Sequence, residues 1–94
     1  MSPRQVIFRI HAIQRMFERR ISDKDVLRIL QTGETIEDHA DDTPYPNRLM
    51  LGWRGKRPLH AVAVDNADEN ETIVITVYKP DPEQWKSDFK RRKQ

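Results

Sequence analysis

Hydrophobic residues near the start of the chain recur at the spacing of one helix face. Four of them follow one another at steps of three and four residues: Ile10, Ile13, Phe17 and Ile21. This spacing places them along one side of an α-helix, because the helix completes a turn every 3.6 residues. We therefore predict a first helix that buries these side chains as a single apolar stripe.

A second apolar stripe follows a sequence that is typical of a helix start. Ser22 and Asp25 have the spacing of a capping box, in which each side chain accepts a hydrogen bond from the backbone N–H of the other residue. The stripe itself consists of Val26, Leu27 and Leu30. Gly33 is placed to end this helix. The pattern therefore predicts two short helices that meet at Ser22.

Beyond Gly33 the helical spacing gives way to runs of strand-forming residues. Four strands are predicted, over residues 35–38, 49–54, 58–65 and 71–78. The two connections after residue 54 are too short for parallel crossovers, so these strands should pair antiparallel. The acidic segment 37–47, which contains Pro44 and Pro46, is predicted to be a surface loop.

The last part of the chain has the pattern of a short helix. Asp81 and Pro82 are typical of a helix start, and Trp85 and Phe89 lie one turn apart as apolar anchors. The expected fold is therefore α+β: two N-terminal helices packed on a twisted four-stranded antiparallel sheet, followed by a short C-terminal helix. With 94 residues the chain is long enough for one domain, which we place at 1–94.

Charged residues are numerous, and their signs are sorted along the chain. Seventeen basic and fifteen acidic residues give a net charge of +2. Residues 1–20 carry five arginines and one glutamate, whereas residues 34–42 carry five acidic side chains. If the basic blocks meet on one face, that face would suit phosphate groups. The alternative is that these charges only solvate a soluble domain.

Several chemistries are excluded or disfavoured by composition. Cysteine is absent, which removes disulfides, thiolate metal sites and thiol nucleophiles. The histidines His11, His39 and His60 share no metal-ligand spacing, so we expect no metal and no other cofactor. The apolar run at 6–8 is too short for a signal peptide or a membrane span, so a cytoplasmic location without a membrane partner is expected.

Candidate chemistry lies on the first predicted helix. His11, Arg15 and Arg19 follow one another at intervals of four residues and so share one helix face. Two arginines one turn apart can bind a phosphate, and a nearby imidazole can transfer a proton at neutral pH. The alternative is a solvated helix face without a chemical role.

A second group of candidates lies on the last hairpin. If its strands pair so that residue numbers sum to about 136, His60 faces Thr76 and Tyr78 lies on the same side. Arg57 and Lys79 flank this end. Such side chains could supply the base, the acid and the cations that phosphodiester cleavage needs. The opposite, apolar face should receive the helices, and it consists of Leu59, Ala61, Ala63, Ile73, Ile75 and Val77.

Three motifs together resemble a known family. They are H-A-I-Q-R-M-F-E-R from residue 11, R-P-L-H from residue 57 and I-T-V-Y-K-P-D from residue 75. Over residues 8–93 the chain resembles an uncharacterised bacterial domain-of-unknown-function family that is related to RelE/ParE-like toxins. The resemblance implies the RelE/ParE-like fold. The site residues that it carries over are His11, Arg15, Arg19, Arg57, His60 and Tyr78.

The resemblance also implies a function. It predicts a RelE-like toxin of a toxin–antitoxin system, acting as a metal-independent endoribonuclease on mRNA. His11 or His60 would take the 2′-hydroxyl proton, and the other histidine or Tyr78 would protonate the leaving oxygen. The cations that would bind the RNA phosphate are Arg15, Arg19, Arg57 and Lys79. A histidine on the first helix departs from well-studied RelE-like nucleases.

The implied partners are RNA, free or on the ribosome, and an acidic antitoxin protein. Two other functions stay open. The first is a non-catalytic protein-binding module of the same fold, whose target is a gyrase-type protein or the antitoxin alone. The second is a domesticated stand-alone domain without a toxic role.

Overall fold

The computed structural model describes residues 5–39, 46–66 and 68–93. In these ranges a five-stranded sheet carries two helices on one face. The strands are β1 (Gln5–Phe8), β2 (Glu34–His39), β3 (Asn47–Arg54), β4 (Arg57–Asn66) and β5 (Glu71–Tyr78). The helices α1 (Ile10–Glu18) and α2 (Asp23–Thr32) lie between β1 and β2 in the chain. Neither helix is long and apolar enough to cross a membrane.

The sheet is mixed, so the predicted four-stranded antiparallel sheet is wrong. Its strand order is β1-β5-β4-β3-β2, and β1 pairs in parallel with β5. The other neighbours pair antiparallel, as expected for tight hairpins. The sequence pattern misses β1 because its apolar run is only three residues long. Its pairing joins the two ends of the domain, which no local pattern can indicate.

The helix-facing side of β4 agrees with the prediction, whereas that of β5 differs. Leu59 and Ala61 of β4 belong to the core beneath the helices. On β5 the predicted Val77 belongs to the core, whereas Val74 lies there in place of the predicted Ile73 and Ile75. A register shift after Val62 places one extra β5 residue between the paired positions, and this bulge changes which side chains face inward.

Helix α1 forms where it is expected, but it packs by a different face. Its buried residues are Ala12 and Met16. Three members of the predicted stripe are exposed instead: Ile10 by 72%, Ile13 by 52% and Phe17 by 87%. The fourth, Ile21, is buried after the helix ends.

The rotation of α1 is set at both of its ends by bonds to β5. The backbone N–H of Arg9, the single residue between β1 and α1, donates to the Val74 carbonyl at 3.1 Å. At the other end the Arg19 guanidinium donates to the Val77 carbonyl at 2.9 Å. These two contacts hold the Ala12 and Met16 side against the sheet and leave the predicted stripe facing outward.

Helix α2 begins and ends as its sequence predicts. The Ser22 hydroxyl accepts from the Asp25 N–H, and the Asp25 carboxylate accepts from the Ser22 N–H, both at 3.1 Å. This confirms the capping box. Gly33 ends the helix, and a Cβ at that position would collide with the carbonyl oxygens of Ile29 and Leu51. Glycine is therefore required there for close approach of the backbone to β3.

The chain after β5 does not form the predicted C-terminal helix. Residues 81–93, here called the strap, form turns and one isolated bridge between Trp85 and Arg92. Phe89 has a φ of 57°, which a helix interior does not allow. Trp85 is 3% exposed and packs edge-on against the His60 ring. Burial of this aromatic side chain against the sheet therefore outweighs the helical pattern.

Both ends of the predicted surface loop belong to strands, because β2 extends to His39 and β3 begins at Asn47. Residues 37–39 belong to β2 and pair with β3. Residues 40–45, the centre of the predicted loop, lie outside the described residues.

Candidate functional site

The predicted co-location of His60 and Tyr78 is confirmed. The two residues are direct partners across β4 and β5, so the observed register differs from the expected pairing of His60 with Thr76. The Tyr78 hydroxyl lies 3.2 Å from His60 Nδ1, and the two rings meet edge to face with centroids 5.3 Å apart.

The strap encloses the His60 ring completely. His60 Nε2 lies 2.8 Å from the Phe89 carbonyl oxygen, and the Trp85 ring centroid is 4.5 Å away. A carbonyl can only accept, so Nε2 carries the proton, and Nδ1 accepts from the Tyr78 hydroxyl. Both ring nitrogens are thus engaged, and the side chain has no exposed surface. His60 joins the sheet to the strap and does not face solvent.

Burial also determines the charge state of this pair. It lowers the pKa of His60 below its ordinary value of 6.5, against the opposing effects of the Phe89 carbonyl and of Glu37. Burial likewise raises the pKa of the Tyr78 hydroxyl. Both groups are therefore neutral near pH 7.

His11 lies on the other side of the sheet from His60. The neighbours of His60 in β4, Leu59 and Ala61, point toward the helices, so the His60 side chain points away from them. His11 is exposed on α1. The structure thus separates the two imidazoles by the sheet, and it does not bring them to one phosphodiester.

The predicted phosphate-binding cations are also dispersed. Arg15 is exposed and lies 3.5 Å from Glu18, whereas Arg19 is bonded to the β5 backbone. Arg57 begins β4 and Lys79 follows β5, so both lie toward the end of the sheet that carries His60. The phosphate-binding role of these four residues stays a prediction.

The sequence pattern alone assigns no function to the apolar face of α1 that the structure exposes. We call Ile10, Ile13 and Phe17 the α1 patch. Monomeric proteins seldom expose such a cluster unless it binds something. A sequence signal exists, because Ala12 and Met16 form a second apolar face on the same short helix. Only one of the two faces can pack on the sheet.

Positive charge borders the α1 patch. Arg20 is exposed just beyond the end of α1, and its side chain forms no hydrogen bond or ion pair with the residues that the structure describes. Arg9, which precedes the helix, does not border the patch, because it lines a cleft with Asp65 and Ile73. Arg54 reaches the Arg20 carbonyl at 2.8 Å and adds a second guanidinium near this helix end, where it also lies 3.6 Å from the Asp25 carboxylate. The patch thus has basic side chains at the C-terminal end of the helix.

A comparison with known families identifies the domain. A family model for a domain of unknown function, DUF4258, matches residues 8–79. The chain belongs to the DUF4258 family. This confirms the predicted membership of an uncharacterised family, whereas the relation to RelE/ParE-like toxins stays a prediction. No curated protein and no solved structure matches the chain.

The match to DUF4258 defines which features belong to the shared domain. It runs from the last residue of β1 to the residue after β5, so it includes the α1 patch and His60. The strap lies beyond the matched residues. Within the described part of this DUF4258 protein, no three His, Asp or Glu side chains form a group that could hold a metal ion.

Proposed function

We propose that this DUF4258 protein is a non-catalytic protein-binding module and that the α1 patch is its docking surface. The observation that carries the proposal is the exposure of three large apolar side chains on one face of a well-formed helix, by 72%, 52% and 87%. The same helix buries Ala12 and Met16 on another face, so its own fold does not need the patch.

The size of the patch suits a protein interface. Large side chains carry about 150–250 Å² each, so the exposed fractions amount to roughly 400 Å². Burial of that area would contribute about 10 kcal/mol before the costs of association are subtracted. A standard interface buries about 800 Å² on each partner, and the patch supplies about half of that.

The border of the patch favours an acidic partner. Arg20 would attract carboxylates and accelerate the encounter with a negatively charged surface. A parallel pairing of two α1 helices would bring the two Arg20 side chains together, and this repulsion disfavours that form of self-association. An acidic antitoxin, which the RelE/ParE resemblance implies, would have the required charge.

The endoribonuclease function has less support from this geometry. His11 and His60 lie on opposite sides of the sheet, and His60 is enclosed by the strap. Cleavage of mRNA by the purified protein, abolished by His11→Ala, would support the nuclease instead. His11 suits this test because it is exposed, so its replacement should leave the fold intact.

Site-specific photo-cross-linking tests the docking surface. A photoreactive residue at Gln14, which is exposed on α1, should capture a protein in the native cells. The same group at Lys56, in the turn between β3 and β4, should not. Phe17→Glu should abolish the capture at Gln14, because a carboxylate would occupy the centre of the patch. Capture that is equal at both positions, or that survives Phe17→Glu, would contradict the proposal.

A further inference from the structure

A buried imidazole joins the strap to the sheet, in addition to two ion pairs with β2 and a contact between Phe89 and Trp53. His60 donates through Nε2 to the Phe89 carbonyl in the strap and accepts at Nδ1 from Tyr78 in β5. Trp85 covers the ring from the strap side. Among the residues that the structure describes, the strap groups in contact with this ring are a backbone carbonyl and an indole, and neither carries a charge.

A proton on Nδ1 would disturb this arrangement. The Tyr78 hydroxyl would have to turn and accept, and the new charge would be buried without a carboxylate in contact. Two charged groups act on it from a distance: Arg92 in the strap opposes the charge, and Glu37 in β2 favours it. Glu37 is already engaged by Arg92 at 2.9 Å, so its charge is largely compensated.

We propose that the strap is a pH-sensitive latch, in which protonation of His60 releases residues 81–93 from the sheet. In the released state His60 meets water and titrates near its ordinary pKa of 6.5. In the closed state burial lowers the pKa of His60. The closed state is therefore fully favoured above about pH 6.5. It loses stability as the pH falls from there toward the lowered pKa, by up to about tenfold per pH unit.

The ion pairs of the strap do not respond in the same pH range. Arg92 lowers the pKa of Glu37 below 4.5, so this carboxylate stays ionised through the range in which His60 takes up a proton. Lys90 and Glu34 form a second, exposed pair at 2.8 Å. His39 lies 3.1 Å from Glu37 and is a titratable neighbour of this network. The contribution of His39 to any pH response is therefore tested with a separate His39 variant.

Release would change the surface in two ways. It would uncover the sheet face at His60 and join it to Val62 and Val64, which are half-buried further along the same side of β4. It would also free Lys90 and Arg92 from their carboxylate partners in β2, Glu34 and Glu37. The strap lies outside the residues that match DUF4258, so the latch would be an addition to the shared domain.

Nuclear magnetic resonance of the full chain can follow the latch between pH 7.5 and 5. The chemical shift of the Trp85 indole N–H should change from that of a buried group to that of a solvent-exposed group in a one-proton transition. The chemical shift of the Val74 amide in the core should stay unchanged. His60→Gln should abolish the transition, because the amide can donate to Phe89 but does not titrate. The matched controls His39→Gln and His11→Gln, which replace exposed histidines, should behave as the wild type.

Several outcomes would overturn the latch. The first is a Trp85 indole that stays buried at pH 5. The second is a transition that persists in His60→Gln or that disappears in His39→Gln. The third is loss of the Val74 signal together with that of Trp85, because this would mean that the whole domain unfolds. If His60→Gln does not fold, the ring nitrogens of His60 in the wild type decide. Their change from the Nε2–H form to imidazolium must share its midpoint with the exposure of Trp85, and different midpoints would reject the proposal.

Discussion

Replacing Met16 and Phe17 by alanine, one at a time, tests which face of α1 packs on the sheet. The two residues are adjacent, but Met16 is 7% exposed and Phe17 is 87% exposed. Full burial of such a side chain contributes about 1.5–3 kcal/mol, so Phe17, which hides about an eighth of its surface, contributes roughly 0.2–0.4 kcal/mol. Met16→Ala also leaves a cavity and should lower the free energy of unfolding by about 2–5 kcal/mol. Phe17→Ala should change it by no more than about 0.5 kcal/mol.

Urea denaturation followed by far-ultraviolet circular dichroism measures both free energies. The slope of the free energy against urea should be the same in the two variants, because neither changes the surface exposed on unfolding by much. The opposite ranking would refute the reasoning. A cost above about 2 kcal/mol for Phe17→Ala, with less than about 1 kcal/mol for Met16→Ala, would mean that α1 is rotated to bury the patch.

Three further variants test other contacts of the fold. Gly52→Ala should lower the free energy of unfolding by about 1–3 kcal/mol in urea denaturation, because a Cβ there would collide with the Ile29 side chain. An unchanged free energy of unfolding would contradict this packing. Arg19→Ala removes the donor to the part-buried Val77 carbonyl and should lower the free energy of unfolding by about 1–3 kcal/mol. An unchanged free energy of unfolding would mean that this hydrogen bond is not formed. Arg92 lowers the pKa of Glu37, so the stability that this carboxylate contributes is fully present above pH 4.5 and is lost as the pH falls through the lowered pKa. Thermal unfolding between pH 6 and 3 should therefore decline less steeply in Glu37→Gln than in the wild type, and parallel curves would argue against the ion pair.

The sequence predicted those parts of the fold whose signals are local. Helix α2 is the best case, because Ser22 and Asp25 of its capping box are only three residues apart. The hairpins of β3, β4 and β5 were predicted for the same reason. The rotation of α1 could not be predicted, because an exposed apolar stripe has the same spacing as a buried one. That rotation depends on the pairing of Phe8 with Val74, which are far apart in the chain.

The candidate site shows the same division. The meeting of His60 and Tyr78 follows from strand alternation within one hairpin, so sequence reasoning could reach it. The enclosure of His60 could not be predicted, because Trp85 and Phe89 have the spacing of a helix and yet pack against the sheet. The separation of His11 from His60 depends on which face of the sheet receives α1.

The parallel pairing of β1 with β5 has a consequence for how the chain folds without aggregating. Residue 5 pairs with residue 71, so this contact closes a long loop and should form after the hairpins. Until then β5 presents an open edge along residues 71–74, three of which are β-branched, and such an edge is a template for association with other chains. By pairing with this edge, the short strand β1 therefore shields it from other chains. Any tag or truncation that disturbs residues 5–8 is expected to reduce the yield of soluble protein before it affects any binding activity.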